Sequence, residues 1–202
     1  MGFQFVVDNA ESISINRKKV VASTQARDGT VRAVSRGGQV WQFEVKLPDG
    51  PRWSDYRGEI SKLEALDRVT ADTIQINNAG QSWLIQYQGN AANAAAIAAS
   101  WTTGNTITLT GGQAASGYNF RAGDFLQLGS SGSVYTVAAD VPFNSNTVTL
   151  HRPIIDAAGN ATLRVGSACV FSVICTQFPD WTIFARDQVS WSGPFVFVED
   201  LT

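Results

Sequence analysis

Histidine, cysteine and charge are scarce in this sequence. His151 is the sole histidine, Cys169 and Cys175 are the only cysteines, and charged residues make up 16% of the 202 positions. Any Ser-His-Asp or Cys-His arrangement would therefore have to use His151. That residue follows Leu150 and precedes Arg152-Pro153 at the end of an expected strand. There it reads as an exposed or hydrogen-bonded strand-end residue rather than a base. No Gly-x-Ser-x-Gly elbow is present. The two cysteines stand six apart in a run that reads as a strand, which puts their Cα atoms roughly 20 Å apart. A disulfide needs less than about 7 Å, so they are expected to stay unpaired. Their neighbours Val170, Phe171, Val173 and Ile174 are apolar, which favours inert buried thiols in a reducing compartment over activated ones.

Other chemistries lack their residues too. Zinc sites want Cys and His clustered at short spacing. A calcium loop wants several acidic residues at alternate positions, and Asp67 with Asp72 is too sparse. No G-x-x-x-x-G-K-[ST] occurs, and Gly111-Gly112 and the Gly129-Ser130-Ser131-Gly132 run read as turns rather than phosphate cradles. A glycosidase would need a carboxylate pair; Glu44 and Glu59 offer one, but most chains offer as much. No catalytic, cofactor-binding or metal residue is assigned, and the chain is expected not to be an enzyme.

The charge balance is mildly acidic, with a net charge of −2 and a pI near 5.3. Proteins that grip nucleic acid through phosphates carry basic patches. The nearest feature here, Arg17-Lys18-Lys19, reads as a solvated strand end. No apolar run approaches the ~20 residues of a membrane span. The first twelve residues lack the basic and apolar regions of a signal peptide, and Val6 and Val7 spoil a myristoylation signal. Synthesis and folding in a cytoplasm are expected. A surface poor in charge suits partner subunits covering it, and equally suits a monomer rich in Ser, Thr, Asn and Gln.

What is present is β texture. Strands are expected over 3–7, 12–16, 19–25 and 31–35, with turns at Arg27-Asp28-Gly29 and Arg36-Gly37-Gly38. Residues 40–47 alternate, placing Trp41, Phe43, Val45 and Leu47 on a core face. Pro48-Asp49-Gly50-Pro51 ends that strand. The period then changes: Tyr56, Ile60, Leu63, Leu66 and Val69 form one face of an amphipathic helix. Ser54 or Asp55 is its expected cap, Glu64 and Arg68 form an i,i+4 pair, and it should lie across the open face of a sheet. Residues 82–88 read as another strand, and the Ala-rich 89–96 as a junction.

From 101 to 166 the strands become short and Thr/Val-rich: 106–110, 124–128, 134–139, 147–150 and 162–165. About five such strands suggest a small barrel or open sandwich. Asn105-Thr106-Ile107-Thr108-Leu109 is echoed by Asn146-Thr147-Val148-Thr149-Leu150. After Ala168 the texture returns to longer, aromatic-rich strands at 170–176, 181–187 and 194–200. The simplest organisation is a discontinuous domain, 1–92 plus 167–202, with 93–166 inserted at an exposed loop. Of the six tryptophans, Trp41, Trp83 and Trp181 fall in strand patterns and read as core rather than as carbohydrate-stacking platforms. Trp53, Trp101 and Trp191 sit at element ends and are candidates for subunit contacts, where Trp is enriched.

Three sets of motifs carry a resemblance. The first is Phe178-Pro179-x-Trp181 with Val189-Ser190-Trp191-x-Gly193-Pro194-Phe195-x-Phe197-x-Glu199. The second is Gly37-Gly38-x-Val40-Trp41-x-Phe43-x-Val45 followed by Leu47-Pro48 and a helix. The third is Ala122-Gly123-Asp124-Phe125-x-Gln127-Leu128-Gly129 with Val134-Tyr135-x-Val137 and Thr147-x-Thr149-Leu150. In this order, over most of the chain, they resemble the distal tail proteins of siphophages. The resemblance implies a mainly β fold: a ring-forming sandwich or split-barrel domain with one helix, carrying an inserted barrel of the oligonucleotide/oligosaccharide-binding (OB) type. It implies a virion protein, a homo-hexameric ring joining the tail-tube protein to the tail-tip hub, with DNA passing through the lumen unbound. It carries over no catalytic residue and no cofactor. Two alternatives stand beside it: another tail ring, such as a tube or tail-terminator subunit, and a module binding host glycan at the tail tip.

Overall fold

The computed structural model describes residues 2–18, 21–25, 31–35, 39–66, 70–184 and 186–201. The expected turns at 27–29 and 36–38 lie largely outside these residues, as do Lys19, Arg68 and Val69. The chain is mainly β, with eighteen strands against two α-helices and three short 3-10 turns among the described residues. It forms two compact units, 1–9 with 72–172 and 10–71 with 173–202. Packing therefore divides the chain at different points from the texture boundaries at 92/93 and 166/167, and residues 72–92 group with the Thr-rich stretch.

In the unit of 10–71 and 173–202, one sheet includes, in hydrogen-bonded order, Ser12–Lys18, Val40–Lys46, Phe195–Glu199 and Phe171–Gln177, each of these strands antiparallel to the next. The alternation read over 40–47 is realised: Trp41, Phe43, Val45 and Leu47 are buried while Glu44 and Lys46 are exposed. Phe43 lies opposite Ile15 on one side and Phe197 on the other. Phe195 collects three rings, with Phe178 at 4.9 Å, Trp191 at 5.3 Å and Phe197 at 6.2 Å between centroids. Burial of large aromatic surface of this kind is the main source of stability in a sheet core. Glu199, buried beside them, accepts the Trp41 N–H at 3.1 Å.

The expected helix is Trp53–Ala65, with Ile60 and Leu63 buried. Its cap is not Ser54 or Asp55. Arg52 occupies the cap position without a side-chain bond. The free N–H groups of the first turn are met from a distant hairpin instead: Trp53 N–H donates to the Asp187 carbonyl at 2.8 Å and Ser54 N–H to its carboxylate at 3.4 Å. That hairpin, Trp181–Phe184 with Gln188–Trp191, turns through positive φ at Arg186 and Asp187. Glu64 accepts a hydrogen bond from the Trp181 indole at 3.0 Å.

In the unit of 1–9 and 72–172, residues 3–7 do not form the expected strand. Gln4–Asp8 is a short helix, and Phe3, Val6 and Val7 are buried, an i, i+3, i+4 spacing that fits a helix face. Three sheets follow. Four strands are ordered Thr147–Thr149, Thr106–Gly111, Ala98–Trp101, Gly159–Thr162; three are ordered Val134–Thr136, Phe125–Gln127, Arg164–Val165; and Val141–Pro142 pairs with Tyr118–Phe120. The two echoing segments are antiparallel neighbours, Val148 opposite Ile107. One apolar core, including Ile107, Phe120, Leu126, Tyr135, Val148 and Leu163, lies within this unit.

A candidate ligand cleft beside Trp83

The expected strand over 82–88 is absent. Ser82–Ile85 is a 3-10 turn, because Asn78 starts a tight turn ahead of it. The Asn78 carbonyl accepts from the N–H groups of Gln81 (2.9 Å) and Ser82 (2.8 Å), and its side-chain oxygen accepts from Gly80 N–H at 3.2 Å. Ile85 is buried and anchors the turn. Trp83 is consequently not core: it is 68% exposed. Its indole N–H donates back to the Gly80 carbonyl at 3.0 Å, so the ring is held by its own turn while most of the side chain stays exposed.

Trp83 borders a cleft of about 800 Å³. Ser82, Gln86 and Tyr87 continue one wall, Ala94 and Ala95 supply small apolar groups, and Thr162 to Val165 complete the lining. The strand Arg164–Val165 is fixed by pairing with Gln127 and Leu126. Gly166, at φ +57°, lets the chain pass against the first wall: a Cβ there would lie 2.7 Å from Tyr87 N and 2.9 Å from the Ile85 carbonyl. Tyr87 is held by a hydrogen bond from its hydroxyl to the Asn119 carbonyl. Burial pushes its pKa up to about 12, so it stays a neutral donor. Arg164 is the one charged side chain lining the cleft, and no carboxylate pairs with it among the described residues.

The residues singled out from sequence lie elsewhere. Trp101 is buried in the core of its unit, its indole donating to the Ala157 carbonyl at 2.8 Å. Trp191 is buried beside Phe195. Trp53 is half-buried and stacked on Trp181, also half-buried. His151 is half-buried and its Nδ1 accepts the Thr136 N–H at 2.9 Å. Cys169 and Cys175 are buried, and burial pushes the pKa of the Cys169 thiol further up, away from thiolate reactivity. Among the described residues no three His, Cys, Asp or Glu side chains cluster as a metal site requires. The sequence signal for the cleft was present in Asn78-Ala79-Gly80, a turn former placed just before Trp83.

Comparison with known proteins adds no identity: no family model matches the chain, and no curated protein matches it.

Proposed function

We propose that the chain is a structural, non-enzymatic virion protein, a ring subunit at the distal end of a phage tail that links the tail tube to the tail-tip hub. One observation carries most of the support. Two of the motif sets behind the resemblance, far apart in sequence, are neighbouring antiparallel strands of one sheet: Val45 pairs with Phe195 and Phe43 with Phe197. The helix Trp53–Ala65 falls in the same compact unit. A β unit with one helix, interrupted by a second compact unit, is the plan the resemblance implies.

The mechanism is geometric. Sheet edges expose unpaired backbone groups, and a closed ring of identical subunits leaves none free. An acidic chain suits a lumen that passes DNA, since a basic wall would hold the phosphates. The purified chain is expected to show six times its 21.7 kDa mass by light scattering, and rings with a central hole in negative stain. Labelled antibody should mark one point at the tail end of the virion. Monomers at all concentrations, with no label on virions, would overturn the reading; label along the whole tail would assign the chain to the tube.

A further inference from the structure

We propose that the cleft beside Trp83 binds an acidic saccharide, its sugar ring stacked on the indole and its carboxylate paired with Arg164. The volume of about 800 Å³ lies within the ~300–1,000 Å³ typical of ligand sites. The indole of Trp83 is 68% exposed and borders the cleft, so it can supply an aromatic surface to a ligand there. Its N–H is already bonded to Gly80, so what it offers a ligand is a flat apolar face in a preset orientation. Preset orientation lowers the entropic cost of binding. The apolar CH face of a pyranose ring matches that surface.

The rest of the lining fits the same ligand. Ser82, Gln86, Ser130 and Thr162 bring hydroxyl and amide groups to the cleft, able both to donate to and accept from sugar hydroxyls. Arg164, the one charge, selects a carboxylate through charge-assisted hydrogen bonds. A single cation in a chain of net charge −2 is too little for a polyphosphate or a nucleic-acid strand, which recruits several basic groups. The site belongs to the unit of 72–172 alone and does not depend on ring formation.

The test is calorimetric titration of the full chain with four tetrasaccharides: tetragalacturonate and hyaluronan tetrasaccharide as acidic probes, cellotetraose and chitotetraose as neutral ones. An acidic probe is expected to bind and to quench tryptophan fluorescence. Trp83→Ala should weaken that binding by up to ~10-fold, as loss of an aromatic contact does, with Trp83→Phe retaining most of it. Arg164→Gln should weaken the acidic probe by ~10-fold or more and leave the neutral ones unchanged. Circular dichroism of each variant checks that the fold persists. No binding by either acidic probe at millimolar concentration overturns the proposal. So does acidic binding whose affinity Trp83→Ala leaves unchanged, or a neutral probe that binds as tightly as the acidic ones.

Discussion

The indole of Trp53 lies face to face with that of Trp181, ring centroids 4.7 Å apart and planes inclined by 21°. The pair fastens the first turn of the helix Trp53–Ala65 to the hairpin that also caps it. Trp181 adds a second tie through its indole N–H to Glu64 at 3.0 Å. Trp181→Ala removes both and should cost ~1–3 kcal/mol. A double-mutant cycle with Trp53→Ala should return a coupling of ~0.5–1.5 kcal/mol in urea unfolding. Strict additivity of the two substitutions would refute the stack as a source of stability.

Asn119 acts as a buried staple. Its side-chain oxygen accepts the Ala114 N–H at 2.7 Å, and its amide nitrogen donates to the carbonyls of Pro142 at 3.1 Å and Ser145 at 2.9 Å. Asn119→Ala strands those groups away from water and should cost ~2–4 kcal/mol. Asn119→Asp should cost more at neutral pH, because a carboxylate oxygen would then face carbonyl oxygens. Thermal melts of the two variants decide this; an aspartate variant as stable as the alanine one would contradict the staple.

Asp124 and Asp140 should respond to pH in opposite senses. Asp124 is buried and accepts the N–H groups of Arg121 at 2.7 Å and Gln88 at 2.8 Å. Burial outweighs these donors and holds its pKa above the ordinary 3.8. Asp140 accepts the Ala122 N–H at 2.8 Å and pairs with the Arg121 guanidinium at 2.9 Å, which together hold its pKa below 3.8. The titration of Asp124 therefore adds stability below its unfolded pKa and loses it as pH rises through the raised folded value. That of Asp140 adds stability above its unfolded pKa and loses it as pH falls through the lowered folded value. The deficit of Asp124→Asn should shrink from acid toward neutral pH, while that of Asp140→Asn grows. Urea midpoints for both variants, each taken relative to the unsubstituted chain across that range, should shift in opposite directions; parallel curves would contradict the assignment.

Gly166 has no tolerance for a side chain. Its φ of +57° disfavours any Cβ, and that atom would press on Tyr87 N and the Ile85 carbonyl. Gly166→Ala should lose ~2 kcal/mol or more, combining the left-handed penalty with the clash. It should also move the wall that carries Tyr87, seen as altered chemical shifts for Ile85 and Tyr87. A variant with an unchanged melting temperature would mean that this backbone approach is looser than described.

Pattern was legible where one period ruled and one face was buried. The alternation over 40–47 and the spacing of Ile60 and Leu63 both led to the observed elements. Residues 3–7 misled because Phe and Val favour strands, while the i, i+3, i+4 burial of Phe3, Val6 and Val7 decided for a helix. The helix cap was illegible for a physical reason: Asp187 reaches it from more than a hundred residues away. Trp83 was misplaced because an apolar run resembles a strand whenever the turn before it is overlooked. The loss of that strand opened the cleft, so the candidate site lay in a stretch where local propensity and actual structure parted.

The strand Phe195–Glu199 follows every other described strand in sequence, yet it sits in the interior of its sheet, between Val40–Lys46 and Phe171–Gln177. A ribosome releases the chain in the opposite order of need. The apolar stripe of Trp41, Phe43 and Val45 emerges early and waits for a partner strand far along the chain. The core spanning 97–165 is continuous in sequence and is complete well before that. Nascent chains arrested before Phe195 should thus hold a protease-resistant core from the 72–172 unit beside a protease-sensitive 10–71 segment. Equal resistance of both would contradict this order. That sheet cannot close until residues 195–199 have left the ribosome.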